Sequence, residues 1–235
     1  MTGMEITVLA ASGATGRELT RQALARGHTV IAIARNPGRI LLPAADALGA
    51  DVGGRPDPAR RAGSAVPGEA VDPARLIRVA ADVRDPDSIA AALRGREVIV
   101  SGLGVAKGDR PGVLTEGARA LAAARPGRIV WLGAFGTGPS AAAAGPLTRT
   151  LLRLLPDRAD KEAADAIILG AGGTVFHAGP LSDSPSGPSR RTLALEQAPR
   201  RVFPARVSRA TVAAAMLDEA ENPAHAGAVA LPLEG

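Results

Sequence analysis

The sequence contains no cysteine and no tyrosine, and each absence limits its chemistry. Without cysteine, the chain has no disulfides, thiolate nucleophiles or cysteine-ligated metals. Without tyrosine, no phenolic hydroxyl is present to act as a general acid. The histidines, His28, His177 and His225, are too widely separated to match the spacing of a metal site. We therefore expect no bound metal.

Aromatic residues make up 2% of the chain, too few for the stacking platforms of single-strand binders. The net charge of +5 comes almost entirely from arginine, since Lys107 and Lys161 are the only lysines. Arginine, alanine, glycine and proline are all abundant, as a GC-rich genome produces without selection for polyanion binding. The charge therefore bears on solubility, and we expect no nucleic-acid partner.

No apolar run is long enough to cross a bilayer, and a strand-like pattern begins at Glu5 where a signal peptide would have its apolar region. We expect a cytoplasmic protein that binds no membrane and is a monomer or homodimer. At 235 residues and 46% hydrophobic content, the chain suits a single α/β domain over 1–235.

Strand-like and helix-like segments alternate along the chain. The pattern predicts strands at 5–9, 28–34, 76–81, 97–101, from 128 and at 174–176, and helices at 16–26, 86–93, 113–124, 160–170 and 209–220. Strands separated by helices form βαβ units with right-handed crossovers. They predict an α/β fold, a Rossmann-type doubly wound parallel sheet with helices on both faces.

Two segments interrupt this alternation. Residues 43–75 are rich in proline, glycine, aspartate and arginine and have no apolar period, so we interpret them as a loop excursion, with a lid as the alternative. Residues 182–189 have the composition of a turn. We place the substrate side of the molecule around 136–158 and 182–204.

The stretch ITVLAASGATGREL, at 6–19, has the features of a pyrophosphate-binding turn. Gly13 has no Cβ to block a phosphate, and Gly16 allows the following helix to pack closely on the strand. Ala10 replaces the first glycine of the motif, and alanine is tolerable there if its φ stays negative. The helix N-terminus supplies N–H groups and a positive dipole end. The predicted phosphate contacts are Ala10, Ser12, Gly13, Ala14, Thr15 and Gly16.

The second strand ends in Arg35, and Arg39 follows four residues later. An NAD-preferring site carries an acid at this place to bind the ribose hydroxyl, whereas arginine binds a 2′-phosphate. The sequence therefore predicts NADP(H) as the cofactor. The alternative is that both are solvated arginines in an arginine-rich chain.

The chain resembles the atypical short-chain dehydrogenase/reductases of the NmrA-like and biliverdin-IXβ (flavin) reductase-like group, over nearly all its length except 43–75. The stretches that carry the resemblance are ITVLAASGATGREL, AIARNPGRI, AADVRDPDSI, VIVSGLG, TEGARAL, RIVWLGAFG, DKEAADAI, TVFHAGPL and VSRATVAAAML. It implies that Asp82 and Val83 border the adenine and that Leu103 and Gly104 lie along the cofactor. It also implies that Gly133, Ala134 and Phe135 lie beside the nicotinamide, which Ala178, Gly179, Pro180 and Leu181 would cover.

The chain departs from this group at the residues that carry the chemistry. Gly133 stands where standard members have serine, and Asp157 stands four residues before Lys161, where they have tyrosine. Lys161 is either a catalytic residue that binds the nicotinamide ribose or an i,i+4 partner of Asp157. His177 is either a proton donor or a satisfied histidine at a strand end.

The predicted function is NADPH-dependent reduction of a small apolar or aromatic acceptor, such as a quinone, flavin or polyketide-type ketone. Without tyrosine, the proton must come from solvent, His177, a water held by Lys161, or the substrate. Two alternatives remain: a non-catalytic NADP(H)-binding sensor, and an isomerase, cyclase or dehydratase on the same fold.

Overall fold

The computed structural model describes residues 3–40, 72–106, 108–143, 157–185, 187, 189–198 and 205–234. The strands are β1 (Glu5–Leu9), β2 (Thr29–Ala34), β3 (Leu76–Ala80), β4 (Val98–Ser101), β5 (Arg128–Ala134), β6 (Thr174–Ala178), β7 (Leu181–Ser182), β8 (Arg190–Ala194), β9 (Val207–Ser208) and β10 (Val229–Glu234). The helices are α1 (Ala14–Ala25), α2 (Pro86–Leu93), α3 (Val113–Ala124), α4 (Arg158–Gly170) and α5 (Arg209–Glu221).

The central sheet has eight strands in the order β3-β2-β1-β4-β5-β6-β10-β8. All neighbours pair in parallel except β10 and β8, which are antiparallel. The chain order reverses between β1 and β4. This is the switch point where ligands bind in such sheets, at the carboxyl ends of the strands. The α/β prediction is confirmed.

The core consists of two layers, one on each face of the sheet, and strand β2 shows how the sequence divides between them. Val30 and Ala32 belong to the layer that contains residues of α1 and α5. Ile31 and Ile33 belong to the layer that contains residues of α2, α3 and α4. Side chains alternate between the faces of a strand, so a continuous apolar run is the expected sequence for a strand covered on both sides.

Strands β8 and β10 have no counterpart in the sequence-based prediction. Pro232 lies within β10 and pairs with Thr192, and proline argues against a strand when only sequence is considered. Strand β8 begins with Arg190 and Arg191, which are exposed at the sheet edge. Most of 43–75 lies outside the described residues. Asp72 starts its last part, where it caps the 3₁₀ turn Pro73–Arg75.

Candidate functional site

The turn after β1 is built on Ala10, whose φ is +61°. The condition of a negative φ is not met, because the chain enters the left-handed region here despite the Cβ. The Ala10 carbonyl accepts a hydrogen bond from Gly13 N–H at 2.9 Å, and Ala11 N–H donates to the Ile33 carbonyl at 2.9 Å. These two hydrogen bonds engage the carbonyl and the N–H of the Ala10–Ala11 peptide. They hold the turn in a left-handed shape that glycine adopts without strain.

Helix α1 starts directly behind this turn, with Gly13 as its N-cap and Ala14 and Thr15 as its first residues. A Cβ at Gly16 would lie 2.1 Å from the Ala10 carbonyl oxygen. Gly13 contributes no side chain to cap the first turn, so the N–H groups there remain available to an anion. These features fit the pyrophosphate of a dinucleotide. Ser12 borders the turn, and its carbonyl accepts a hydrogen bond from Arg17 Nη1 at 2.7 Å.

Gly102, which follows β4, completes this close approach. A Cβ there would lie 3.0 Å from the backbone nitrogen of Gly16. The absence of a side chain at Gly102 therefore lets the start of α1 lie close to the crevice between β1 and β4. The sequence analysis did not single out Gly102, although its position one residue after a buried strand was a usable signal.

Arg35 lies at the end of β2 and is paired across the crevice. Its Nη1 is 3.0 Å from Asp109 Oδ1, and its side chain is 57% exposed. The hydrogen bond from Ala106 N–H lowers the pKa of Asp109, and Arg35 lowers it further. Arg39 is exposed in the 3₁₀ turn Pro37–Arg39. Both arginines therefore lie just beyond the carboxyl end of β2, and Arg35 is paired with an acid.

Asp82 and Val83 follow β3. The Asp82 carboxylate accepts a hydrogen bond from Arg84 N–H at 3.0 Å. Val83 lines a separate cavity of about 680 Å³ between α2 and α3.

A cavity of about 230 Å³ opens at the carboxyl ends of β5 and β6. Among the predicted site residues, its wall brings together Leu103, Gly104, Gly133, Ala134, Lys161, Ala178, Gly179 and Leu181. It also includes four residues that were not predicted, Leu114, Trp131, Leu132 and Asp165. Most of the wall is therefore apolar, and Lys161 and Asp165 are its charged side chains.

Phe135 and Pro180 are not part of this cavity wall. Phe135 N–H donates to the Ala178 carbonyl at 2.8 Å, and the Pro180 carbonyl accepts from Val207 N–H at 3.1 Å. Both bonds hold the segments that border the cavity.

Lys161 lies on the first turns of α4, with its side chain partly buried. Its Nζ is 2.5 Å from Asp157 Oδ2, one turn earlier. The i,i+4 pair considered from sequence is therefore formed, at the place where the related pattern has tyrosine and lysine. Because Lys161 also lines the cavity, the pair does not remove it from the site.

The ring of His177 lies beneath the cavity and is fully buried. Its Nε2 is 3.0 Å from Asp165 Oδ2, and its Nδ1 is 2.6 Å from Ser140 Oγ. The three side chains form a chain of hydrogen bonds that is closed to solvent, with Asp165 1% exposed and Ser140 fully buried. His177 is not among the residues of the cavity wall.

Gly133 provides the space for this buried chain. A Cβ at Gly133 would lie 2.7 Å from His177 Cδ2 and 2.9 Å from Asp165 Oδ1. The position that the resemblance assigns to serine is therefore packed against the imidazole and the carboxylate.

Asp160 fastens α4 to α3, although it is not a site residue. Its carboxylate accepts hydrogen bonds from the N–H groups of Leu114 and Thr115 and from the Thr115 hydroxyl. Burial opposes ionisation of this carboxyl, but these hydrogen bonds outweigh it and lower its pKa. The start of α4, which carries Lys161, is thereby fixed against α3.

The described residues also bear on metal sites and membrane spans. No group of three or more metal-ligating side chains comes together in this part of the chain. In the same ranges, no helix has the length and apolar character needed to span a membrane.

Comparison with known families gives a match over 165 residues, since a sequence model described as NAD(P)H-binding covers 59–223. Comparison with curated proteins gives no match.

Solved structures share the fold at low sequence identity. A short-chain dehydrogenase/reductase from Veillonella parvula in complex with NADP has a TM-score of 0.70 and 15% identity, with 99% of this chain and 95% of that chain covered. An anaerobillin reductase from Escherichia coli O157:H7 has a TM-score of 0.67 and 18% identity, with 98% and 97% covered. A candidate NADH–flavin reductase from Streptococcus pneumoniae has a TM-score of 0.67 and 18% identity, with 99% and 100% covered.

Proposed function

Because the chain belongs to the family of NAD(P)H-binding proteins, we propose that it is an NADPH-dependent reductase of small apolar or aromatic acceptors. Quinones, flavins and conjugated or polyketide-type ketones are the acceptor classes considered. The observation that carries the proposal is the apolar cavity of about 230 Å³ at the carboxyl ends of β5 and β6, with Lys161 in its wall. NADPH, when bound, supplies the hydride.

The residues around the switch point would hold the cofactor. The N-terminus of α1 offers its N–H groups to the pyrophosphate, and Gly13 and Gly16 keep this space free of side chains. Arg35 and Arg39 provide positive charge for a 2′-phosphate, for which the planar guanidinium is well suited. This arrangement favours NADPH over NADH.

The cavity wall suits an acceptor that needs little acid catalysis. Apolar side chains such as Trp131 and Leu181 exclude water and hold a flat, apolar molecule. Lys161 would bind the nicotinamide ribose and orient a water that gives its proton to the acceptor. Placement of the two reactants then accounts for most of the rate.

A screen for NADPH consumption with quinones, flavins and conjugated ketones tests this proposal. With an acceptor found, we expect Lys161→Ala to lower kcat by about a hundredfold, the lower end of general acid–base assistance. Asp157→Asn is the matched control, because it removes the partner of Lys161 and keeps the ammonium. Equal turnover by wild type and Lys161→Ala would remove Lys161 from the mechanism.

A non-catalytic NADP(H) sensor is the second candidate. The observation that favours it is the burial of His177, whose ring nitrogens both have protein partners and do not face the cavity. Tight NADPH binding with no acceptor reduced would favour this function over the reductase.

A further inference from the structure

The carboxylate of Asp165 is buried and only half paired. Asp165 is 1% exposed and belongs to the cavity wall beside Gly133. Its Oδ2 lies 3.0 Å from His177 Nε2, whereas its Oδ1 has no hydrogen-bond partner among the described residues. Buried polar groups are normally paired, and an unpaired one costs free energy. A half-paired carboxylate in a cavity wall is therefore suited to a positively charged ligand.

The charge of this pair depends on which ring nitrogens of His177 carry a proton. Gly136 N–H donates to Ser140 Oγ at 2.8 Å, so the Ser140 hydroxyl proton is free for another acceptor. Ser140 Oγ lies 2.6 Å from His177 Nδ1 and 3.1 Å from the Thr137 carbonyl oxygen, and when its hydroxyl proton points at the nearer atom, Ser140 donates to Nδ1. Nδ1 is then an acceptor, and the single ring proton is on Nε2, which donates it to Asp165. With a neutral imidazole, the pair carries one negative charge.

The other charge in the cavity wall is already matched. Lys161 lies one turn before Asp165 on α4, and its Nζ is 2.5 Å from Asp157 Oδ2. Its positive charge is therefore paired with the carboxylate of Asp157. The charge of Asp165 remains unmatched within the described part of the chain.

We propose that Asp165 is a charge-stabilising residue that favours the oxidised cofactor, whose nicotinamide ring is cationic. The inference rests on the proposed function, which puts the nicotinamide beside Gly133. When the acceptor takes a hydride, two electrons and one proton leave the reduced ring, which gains one positive charge; the acceptor takes its second proton from water. A carboxylate fixed behind Gly133 stabilises this charge as it develops.

Gly133 is what allows the carboxylate to act there. A side chain at this position would collide with Asp165 Oδ1, at 2.9 Å from its Cβ. With glycine at position 133, the site lacks the serine hydroxyl that the resemblance implies beside the acceptor. It has instead the negative charge of Asp165 beside the cofactor. Asp165 acts through this charge and does not need to contact the acceptor.

Separate titrations of NADPH and NADP⁺ by calorimetry test the inference. We expect Asp165→Asn to raise the Kd for NADP⁺ about tenfold and to leave the Kd for NADPH nearly unchanged, as expected for two unit charges several ångströms apart. The matched control is Glu162→Gln on the same helix, since Glu162 pairs with Arg158 at 2.8 Å and does not line the cavity. Its two affinities should keep the wild-type ratio.

The outcomes separate this inference from the proposed function. If the wild type binds neither form of the cofactor, the proposed function is wrong. If it binds both and Asp165→Asn changes both affinities equally, the role of Asp165 is wrong and the proposed function stands. Asp165→Ser, which also removes the charge, replaces the asparagine variant if thermal unfolding shows that variant to be unfolded. An unchanged Kd for NADP⁺ in the Asp165→Asn protein would also overturn the inference.

Discussion

The cleft has two regions: the first is the turn after β1, and the second is the cavity at β5 and α4. The first is built from backbone groups and the second from side chains. At the turn after β1, the groups proposed to bind the cofactor are backbone N–H groups, and the left-handed shape of the turn is present although Ala10 stands where the motif has glycine. At β5 and α4, the resemblance implies side-chain hydroxyls, and here a buried carboxylate and imidazole pack against Gly133. A site made of backbone survives the loss of a motif residue at a cost in strain. A site made of side chains changes its chemistry when they are replaced.

Gly16→Ala is the most severe test of whether the first region needs the backbone of α1 to lie close to the turn after β1. The new Cβ would lie 2.1 Å from the Ala10 carbonyl oxygen, so the turn and α1 must separate. We expect a loss of about 3 kcal/mol in the free energy of unfolding, together with loss of NADPH binding. Urea unfolding and calorimetric titration measure the two effects.

Gly170→Ala is the control for this substitution, because its Cβ would meet no described atom within 4 Å. Its stability should stay within about 1 kcal/mol of the wild type. A Gly16→Ala protein that binds NADPH normally would show that the cofactor lies elsewhere.

His177→Ala tests whether the second region depends on its buried side chains. The change leaves the buried carboxylate of Asp165 without its partner at 3.0 Å. Leaving a buried charged group without its hydrogen-bond partner costs about 3 kcal/mol, so we expect a loss of that size in urea unfolding. His225→Ala, at a partly exposed histidine in a turn, should change stability by about 0.5 kcal/mol or less. Equal stability of both variants would mean that the network does not hold the cavity.

Arg35→Ala tests whether a side chain at the edge of the first region adds to the binding provided by backbone N–H groups. Loss of a charge-assisted hydrogen bond costs about 1.5–3 kcal/mol, so the Kd for NADPH should rise at least tenfold while the Kd for NADH stays the same. Arg96→Ala is the control, because Arg96 forms an ion pair of similar length, 3.1 Å, with Glu5 at the start of β1. Equal affinity of the wild type for NADPH and NADH would contradict the prediction.

Ala10→Gly should have the smallest effect and the opposite sign. A left-handed alanine costs about 1–2 kcal/mol, and glycine loses about 0.5–1 kcal/mol more in backbone entropy on folding. We therefore expect a gain of about 0.5 kcal/mol in urea unfolding, with cofactor affinity unchanged. A less stable variant would show that the alanine methyl group packs favourably in the turn.

The sequence was sufficient where local patterns decide the structure. A β-branched run followed by small residues predicted β1 and α1, and helices α2 and α3 have the predicted bounds. The handedness at Ala10 was not predictable in this way, because residue spacing does not determine the sign of φ. It results from hydrogen bonds to Gly13 and Ile33.

Asp165 was missed for a related reason. An aspartate within an amphipathic helix is normally solvated, and nothing adjacent to it in sequence indicates burial. Its burial depends on His177, twelve residues away on β6. Strand β10 was missed because Pro232 argues against a strand. In both cases the contacts that decide the structure are made with another element: Asp165 contacts β6, and β10 pairs with β6 and β8.

Strand β10 also determines the order in which the molecule can assemble. It pairs with β6 on one side and β8 on the other, so β8 has no neighbour in the described sheet until β10 is in place. Glu234 at its end accepts a hydrogen bond from Ser208 N–H at 2.7 Å, at the start of α5. The strands around the switch point, by contrast, all lie within the first 101 residues. During synthesis on the ribosome, the strands around the switch point therefore emerge long before the part of the sheet that contains β6, β10 and β8 is complete.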